Sequence, residues 1–200
     1  MSRKSKDFID LWFDCDIFVP TKTMYMGSAV VSDDGNSGTD AAMAEITLKG
    51  LHILDMDRHD TPITIYMNNP GGDEFQGLMI MDAIRRCKSR VKMIGTGEVM
   101  SMGSLIIQAA DDRIMSPNAK MMIHYGTAML YGAEAKAQYK WVEESKKFDL
   151  FMENLFMERI IVKQPNFKRS KLQSMLHSDT ILTAQEALDL NLIDSIEEQN

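Results

Sequence analysis

This sequence predicts an α/β protein with a mainly parallel sheet, and three features carry the prediction. From residue 62 onward, short β-rich runs alternate with helical runs, the pattern of strand–helix units. The runs meet at glycine, proline and asparagine turns, most plainly at Asn68-Asn69-Pro70-Gly71-Gly72 and Pro117-Asn118. The C-terminal half also holds one helical pattern of about 30 residues, long enough to extend ~45 Å.

In chain order, DIFVPTKTMYMGSAVV (Asp16 to Val31) alternates enough for one or two strands, broken at Pro20. SDDGNSGTD (Ser32 to Asp40) reads as a loop. Thr39 is then placed to cap a helix over about Asp40 to Met56 that buries Ile46, Leu48, Leu51 and Leu54. PITIYMN is a strand, NPGG a turn and EFQGLMIMDAIRRC a helix. VKMIGTGEV is a second strand, handing over at Ser101 to the helical run MGSLIIQAA. RIMS and KMMIHYG are two further short strands. The long helix runs from about Ala133 to Val162 and stops before Pro165, with Phe148, Phe151, Met152, Leu155, Phe156 and Ile160 at spacings of three and four. A helix of that length projects beyond a domain of this size, so its apolar face calls for a partner copy; the alternative is a helix folded back on its own sheet. A helix at about Ser170 to Leu176, the strand DTIL, a helix from Ala184 to Leu190 and the tail LIDSI complete the chain.

Bulk properties exclude several classes of function. The net charge of −7 removes the electrostatic basis for binding nucleic acid or an anionic membrane. No apolar run approaches the ~20 residues of a membrane span, and the N-terminal MSRKSKDFIDLWFD carries acidic residues where a secretory signal would be apolar, so a cytoplasmic protein is expected. Cys15 and Cys87 are isolated, match no metal-ligand spacing and are expected to be buried thiols. The 18 methionines are scattered along the chain, which favours adaptable packing or interface contacts over metal binding.

Four positions attract attention as chemistry. Ser101 stands where a strand becomes a helix, so its hydroxyl lies beside the unpaired N–H groups of a helix N-terminus. That is the geometry of a nucleophile elbow, although Val99 replaces the first glycine of G-x-S-x-G. The alternative is a plain helix cap. The Gly71-Gly72 turn ends a neighbouring strand and is able to aim an N–H at an oxyanion; most Pro-Gly-Gly sequences are only turns. His124 ends an apolar strand, where it is either a general base beside Ser101 or a structural histidine. Of the other three histidines, His52 and His59 fall on or just after the first long helix, and His177 is a reserve candidate. Asp179 is one acid among 29, and its residue type alone suggests a turn or cap.

Taken together, ITIYMNNPGGDEFQGLMIMDAI, VKMIGTGEVMSMGSLIIQAA, SPNAKMMIHYG and SDTILTAQEALDLNLIDSI resemble the proteolytic subunit of the Clp protease, in that family's order and close to its spacing. The resemblance runs from about Asp16 to the C-terminus and is most specific from Ile63 to Gly126. It implies that Ser101 is a nucleophile, His124 its base and Asp179 the acid, with the backbone N–H groups of Gly72 and Met102 as the oxyanion hole. It implies a crotonase-like α/β superhelix with a protruding helical handle at about 127–170, one peptidase domain over 1–200 with 1–15 as a divergent N-terminal segment, and no metal or organic cofactor. Heptameric rings stacked in pairs, fed with unfolded protein by an AAA+ unfoldase, are implied as well. The chain departs from the family in its short N-terminal segment, in Ser178 where many members have arginine, in Tyr125-Gly126 after the base where Gln-Pro is usual, and in a handle segment reduced to TAMLYGAEA.

Three other readings share these residues. A silent ring subunit would place no chemical demand on Ser101, His124 and Asp179. A crotonase-type acyl-CoA enzyme would keep the fold and oxyanion hole and need no serine. A Ser-Lys peptidase would use Lys120, four residues before His124.

Overall fold

The computed structural model describes residues 3–27, 38–126 and 135–198. The loop expected at 32–40 therefore falls mostly outside the described residues, as do the end of the first strand region and TAMLYGAE of the handle segment.

Strands β1 (Ile17–Phe18), β2 (Thr23–Gly27), β3 (Ile63–Asn69), β4 (Val91–Met100), β5 (Asp112–Met115), β6 (Lys120–Ile123), β7 (Thr180–Thr183) and β8 (Ser195–Ile196) form one sheet. Its spine runs β1-β2-β3-β4-β5-β8 and is parallel from β2 to β8, as the strand–helix alternation requires. The helices are α1 (Arg3–Cys15), α2 (Ala41–Leu54), α3 (Glu74–Arg86), α4 (Met102–Ile106), α5 (Ala135–Lys163), α6 (Arg169–His177) and α7 (Ala184–Asp189). One contiguous apolar core joins sheet and helices. Six of its strand residues are methionines, Met24, Met26, Met67, Met93, Met115 and Met121, each at most 2% exposed, so packing accounts for much of the methionine content.

β4 organises everything that follows. Its first half, Lys92 to Gly95, pairs with β5, and its last three residues, Glu98 to Met100, pair with β6. The sheet divides there because β4 bulges: Gly95 lies opposite Met67 and Val99 opposite Asn69, so four steps on β4 match two on β3. Gly97 takes a φ of +65° in the bulge, Glu98 N–H donates to Asn68 Oδ1 at 2.9 Å, and Thr96 Oγ1 donates to the Met67 carbonyl at 3.1 Å. The small β6–β7 pair is antiparallel, with Ile123 opposite Thr180.

Several sequence expectations need correction. Asp40 caps α2, not Thr39: its carboxylate accepts the Met43 N–H at 2.8 Å. Thr39 is instead bound by its backbone to the glycine turn, and a carboxylate is the better acceptor for a helix N-terminus. Ile46 and Leu48 are half-buried, whereas Met43, Ala44, Thr47, Gly50, Leu51 and Leu54 form the inner face of α2. Cys15 and Cys87 are only half-buried. Burial still pushes the Cys87 thiol up to about 11. The apolar face of α5 is partnered within the chain: Met152, Leu155, Phe156 and Ile160 belong to its own core, with α6 packed alongside. Exposed apolar residues on α5 include Tyr139 and Trp141 toward its N-terminus, 75% and 49% accessible, and Val162 at its C-terminal end. The N-terminal segment forms the helix α1, which rests Phe8 and Trp12 edge-on against Phe18. No described helix is long and apolar enough to cross a membrane.

Candidate active site

Ser101 is reached straight from the bulged strand β4 and opens α4, with its N–H bonded to the Met122 carbonyl on β6 at 2.8 Å. Its backbone lies at φ 52°, ψ −121°, a conformation that costs an L-residue roughly 1–3 kcal/mol and is found where surrounding structure enforces it. That backbone turns the side chain away from α4. Ser101 makes no capping bond to the helix it precedes, so it is not a plain N-cap. The hydroxyl meets His124 Nε2 at 2.8 Å instead.

His124 follows β6 immediately, and Asp179 immediately precedes β7, its antiparallel partner. Continuing the register one step beyond Ile123 and Thr180 sets the two side by side. His124 Nδ1 lies 3.0 Å from Asp179 Oδ1. The two ring nitrogens therefore face different partners: Nδ1–H donates to the carboxylate, and Nε2 is left to accept the serine proton. His124 is one-fifth exposed and Asp179 three-quarters exposed.

The glycine turn after β3 completes the site. Gly71 packs so closely under Ser101 that an added Cβ would overlap the Ser101 Cβ, and its φ of +110° also excludes other residues. Its N–H is occupied by Asn69 Oδ1 at 2.8 Å. The next residue, Gly72, has φ +141°, and among the described residues no acceptor is found for its N–H. Met102, the first residue of α4 and 3% exposed, carries one of that helix's unpaired N–H groups. Asn69 was not singled out by sequence reasoning. It is fully buried, donates Nδ2–H to Thr39 Oγ1 at 2.9 Å, and so ties the turn to the segment before α2. An asparagine ahead of Pro-Gly-Gly was the available signal.

The remaining candidates lie elsewhere. His177 ends α6 with its ring 4.7 Å from that of Tyr125. His59 lies 3.4 Å from Ser89, near the start of β4. Lys120 is exposed at the start of β6, beside Thr183 of β7.

A sequence model of the family described as Clp protease matches residues 33–200. The chain belongs to the Clp protease family. Among curated relatives, it is 32% identical to the ATP-dependent Clp protease proteolytic subunit of Deinococcus radiodurans, over 80% of this chain and 76% of that protein. It is also 32% identical to proteolytic subunit 2 of Pseudomonas aeruginosa, over 80% and 77%. It is 29% identical to the ATP-dependent Clp protease proteolytic subunit 3, chloroplastic, of Arabidopsis thaliana, over 80% of this chain and half of that one. Membership in the Clp protease family makes the chain a peptidase, and its mixed α/β architecture is the one that the family resemblance implied.

Proposed function

We propose that the chain is the proteolytic subunit of an ATP-dependent Clp protease, a serine endopeptidase with Ser101 as nucleophile. The observation that carries this reading is the continuous hydrogen-bonded row from Ser101 through His124 to Asp179, at 2.8 and 3.0 Å, with the serine held in a strained strand-to-helix turn. His124 Nε2 takes the hydroxyl proton as Oγ attacks the peptide carbonyl. Asp179 holds the ring in the correct tautomer and stabilises its cation. The oxyanion forms between the N–H groups of Gly72 and Met102, each donor worth ~3–4 kcal/mol in the transition state. His124 then returns the proton to the leaving amine. A water, deprotonated by the same imidazole, hydrolyses the acyl-serine. The proposed cycle needs only these groups and water, and so no metal or organic cofactor.

In this reading the chain acts as one peptidase domain, which the single contiguous core supports, and it works in the cytoplasm. In this reading the chain assembles into heptameric rings stacked in pairs and is fed unfolded protein by an AAA+ unfoldase, as the family resemblance implies. The exposed Tyr139, Trp141 and Val142 on the outer half of α5 support the assembly part. The test is hydrolysis of a short fluorogenic peptide by the full chain before and after fluorophosphonate treatment. Hydrolysis abolished by the reagent is expected. Hydrolysis that persists after complete modification, or none in a correctly assembled preparation, contradicts the reading.

A further inference from the structure

The His124–Asp179 contact is too exposed to hold itself together. An ion pair or hydrogen bond whose acid is three-quarters in water contributes little to its own geometry. The β6–β7 pairing sets the register, and the residue after the base fixes the end of β6 against the end of α6. Tyr125 donates its backbone N–H to the Leu176 carbonyl at 2.9 Å, and its ring packs on His177. Its hydroxyl donates to Glu153 Oε1 on α5 at 2.5 Å. Glu153 is 7% exposed and also gathers α6: Arg169 Nη1 donates to it at 3.0 Å and Gln173 Nε2 at 3.1 Å. Burial alone would push its carboxyl up, but these three donors hold it below the usual range. One buried carboxylate thus binds α5, α6 and the loop carrying His124 in a single knot.

We infer that Tyr125 and Glu153 are positioning residues for the reaction, setting the His124–Asp179 geometry by locking the loop after β6 onto helices α5 and α6. The inference rests on the serine-peptidase reading above. Neither residue touches the reacting atoms. Their effect passes through the placement of the imidazole relative to Ser101 and Asp179, where small displacements cost large factors in rate. The interior position of α5 that supplies Glu153 also gives the long helix a direct mechanical link to the site.

The test compares the native chain with Tyr125→Phe, which keeps the ring and the backbone bond and removes only the hydroxyl, and with Glu153→Gln, which keeps an acceptor but loses the charge facing Arg169. Fluorophosphonate labelling rates at Ser101, and kcat and KM on a short peptide, are read on folded protein, with a melting curve for each variant. Tyr125→Phe is expected to lower kcat and the labelling rate roughly tenfold with KM nearly unchanged. Glu153→Gln should fall between it and native. Adding Tyr125→Phe to Asp179→Asn should cost much less than tenfold further, because both changes act on the same imidazole. A Tyr125→Phe variant that melts lower yet labels and turns over within twofold of native overturns the inference while leaving the peptidase reading intact. Absence of Ser101 labelling in the native chain overturns both.

Discussion

Two clusters in this molecule gather a serine, a histidine and an aspartate, one at each end of β4, and they differ in almost every respect that matters. At the C-terminal end, Ser101 and Asp179 bind different nitrogens of His124, so the carboxylate holds Nδ1–H while Nε2 faces the serine hydroxyl. At the N-terminal end, Ser89 Oγ and Asp55 Oδ1 both lie 3.4 Å from the same Nδ1 of His59, so no acid orients the ring with its other nitrogen toward the serine. Ser89 is 2% exposed, and the fully buried Lys22 donates to its oxygen at 2.8 Å, which lowers its value as a nucleophile. Lys22 also donates to the carbonyls of Asp57 and Arg58. Asp55 accepts the Lys88 and Ser89 N–H groups, at 2.9 and 2.8 Å. The second cluster staples a loop; the first has strain, access and a glycine turn beside it. Residue types do not make a site until the backbone decides which atoms face each other.

The largest contrast is expected from Ser101→Ala, which should reduce peptide hydrolysis by a factor on the order of 10⁴–10⁶ with the melting temperature little changed. Asp179→Asn should cost on the order of 10²–10⁴ in kcat, since the amide misorients the imidazole tautomer. At the other end of β4 the effects should appear in stability. Lys22→Met leaves the buried Ser89 hydroxyl and the part-buried Asp57 and Arg58 carbonyls short of a donor, which costs about 1–3 kcal/mol in denaturant unfolding. Folded Lys22→Met should keep its labelling rate at Ser101. Asp55 gives a pH signature. Burial raises its carboxyl, but the Lys88 N–H, the Ser89 hydroxyl and N–H, and His59 together hold it down to about 2. Its stabilisation is thus complete above the unfolded carboxylate value of ~4 and is lost as the pH falls through about 2. The stability gap between native and Asp55→Asn should be constant from pH 7 to about 5, then narrow between pH 4 and 2. The smallest effect is expected from Lys120→Ala: hydrolysis within twofold of native, whereas a complete loss without unfolding would bring back a Ser-Lys mechanism.

Much of the fold was legible because its elements are local. The strand–helix alternation from Ile63 to Ala110 needs only periodicity and turn residues, and β3, α3, β4 and α4 fall where the sequence sets them. β8 was hidden in the tail LIDSI because two residues carry no period; its place depends on Arg113, whose N–H and guanidinium both reach Asp194. The bulge in β4 was equally hidden, although Gly95 and Gly97 marked the spot, since a bulge is defined by its partner strand. Ser101 and His124 stood out as candidates at strand ends, each with a structural alternative, and the family resemblance chose between these and added Asp179. Nothing in the sequence brings Asp179 to His124 except the antiparallel pairing of β6 with β7, a contact between residues 55 positions apart. Glu153 was invisible for the same reason: an acid on the inner face of a helix has meaning only once Tyr125, Arg169 and Gln173 surround it.

Intact-mass measurement after fluorophosphonate treatment of the native chain, Ser101→Ala and Ser89→Ala tests the central distinction most directly. One adduct on native and on Ser89→Ala, with none on Ser101→Ala, is the predicted result. An adduct that survives in Ser101→Ala, or none on the native chain, would contradict the assignment of the nucleophile.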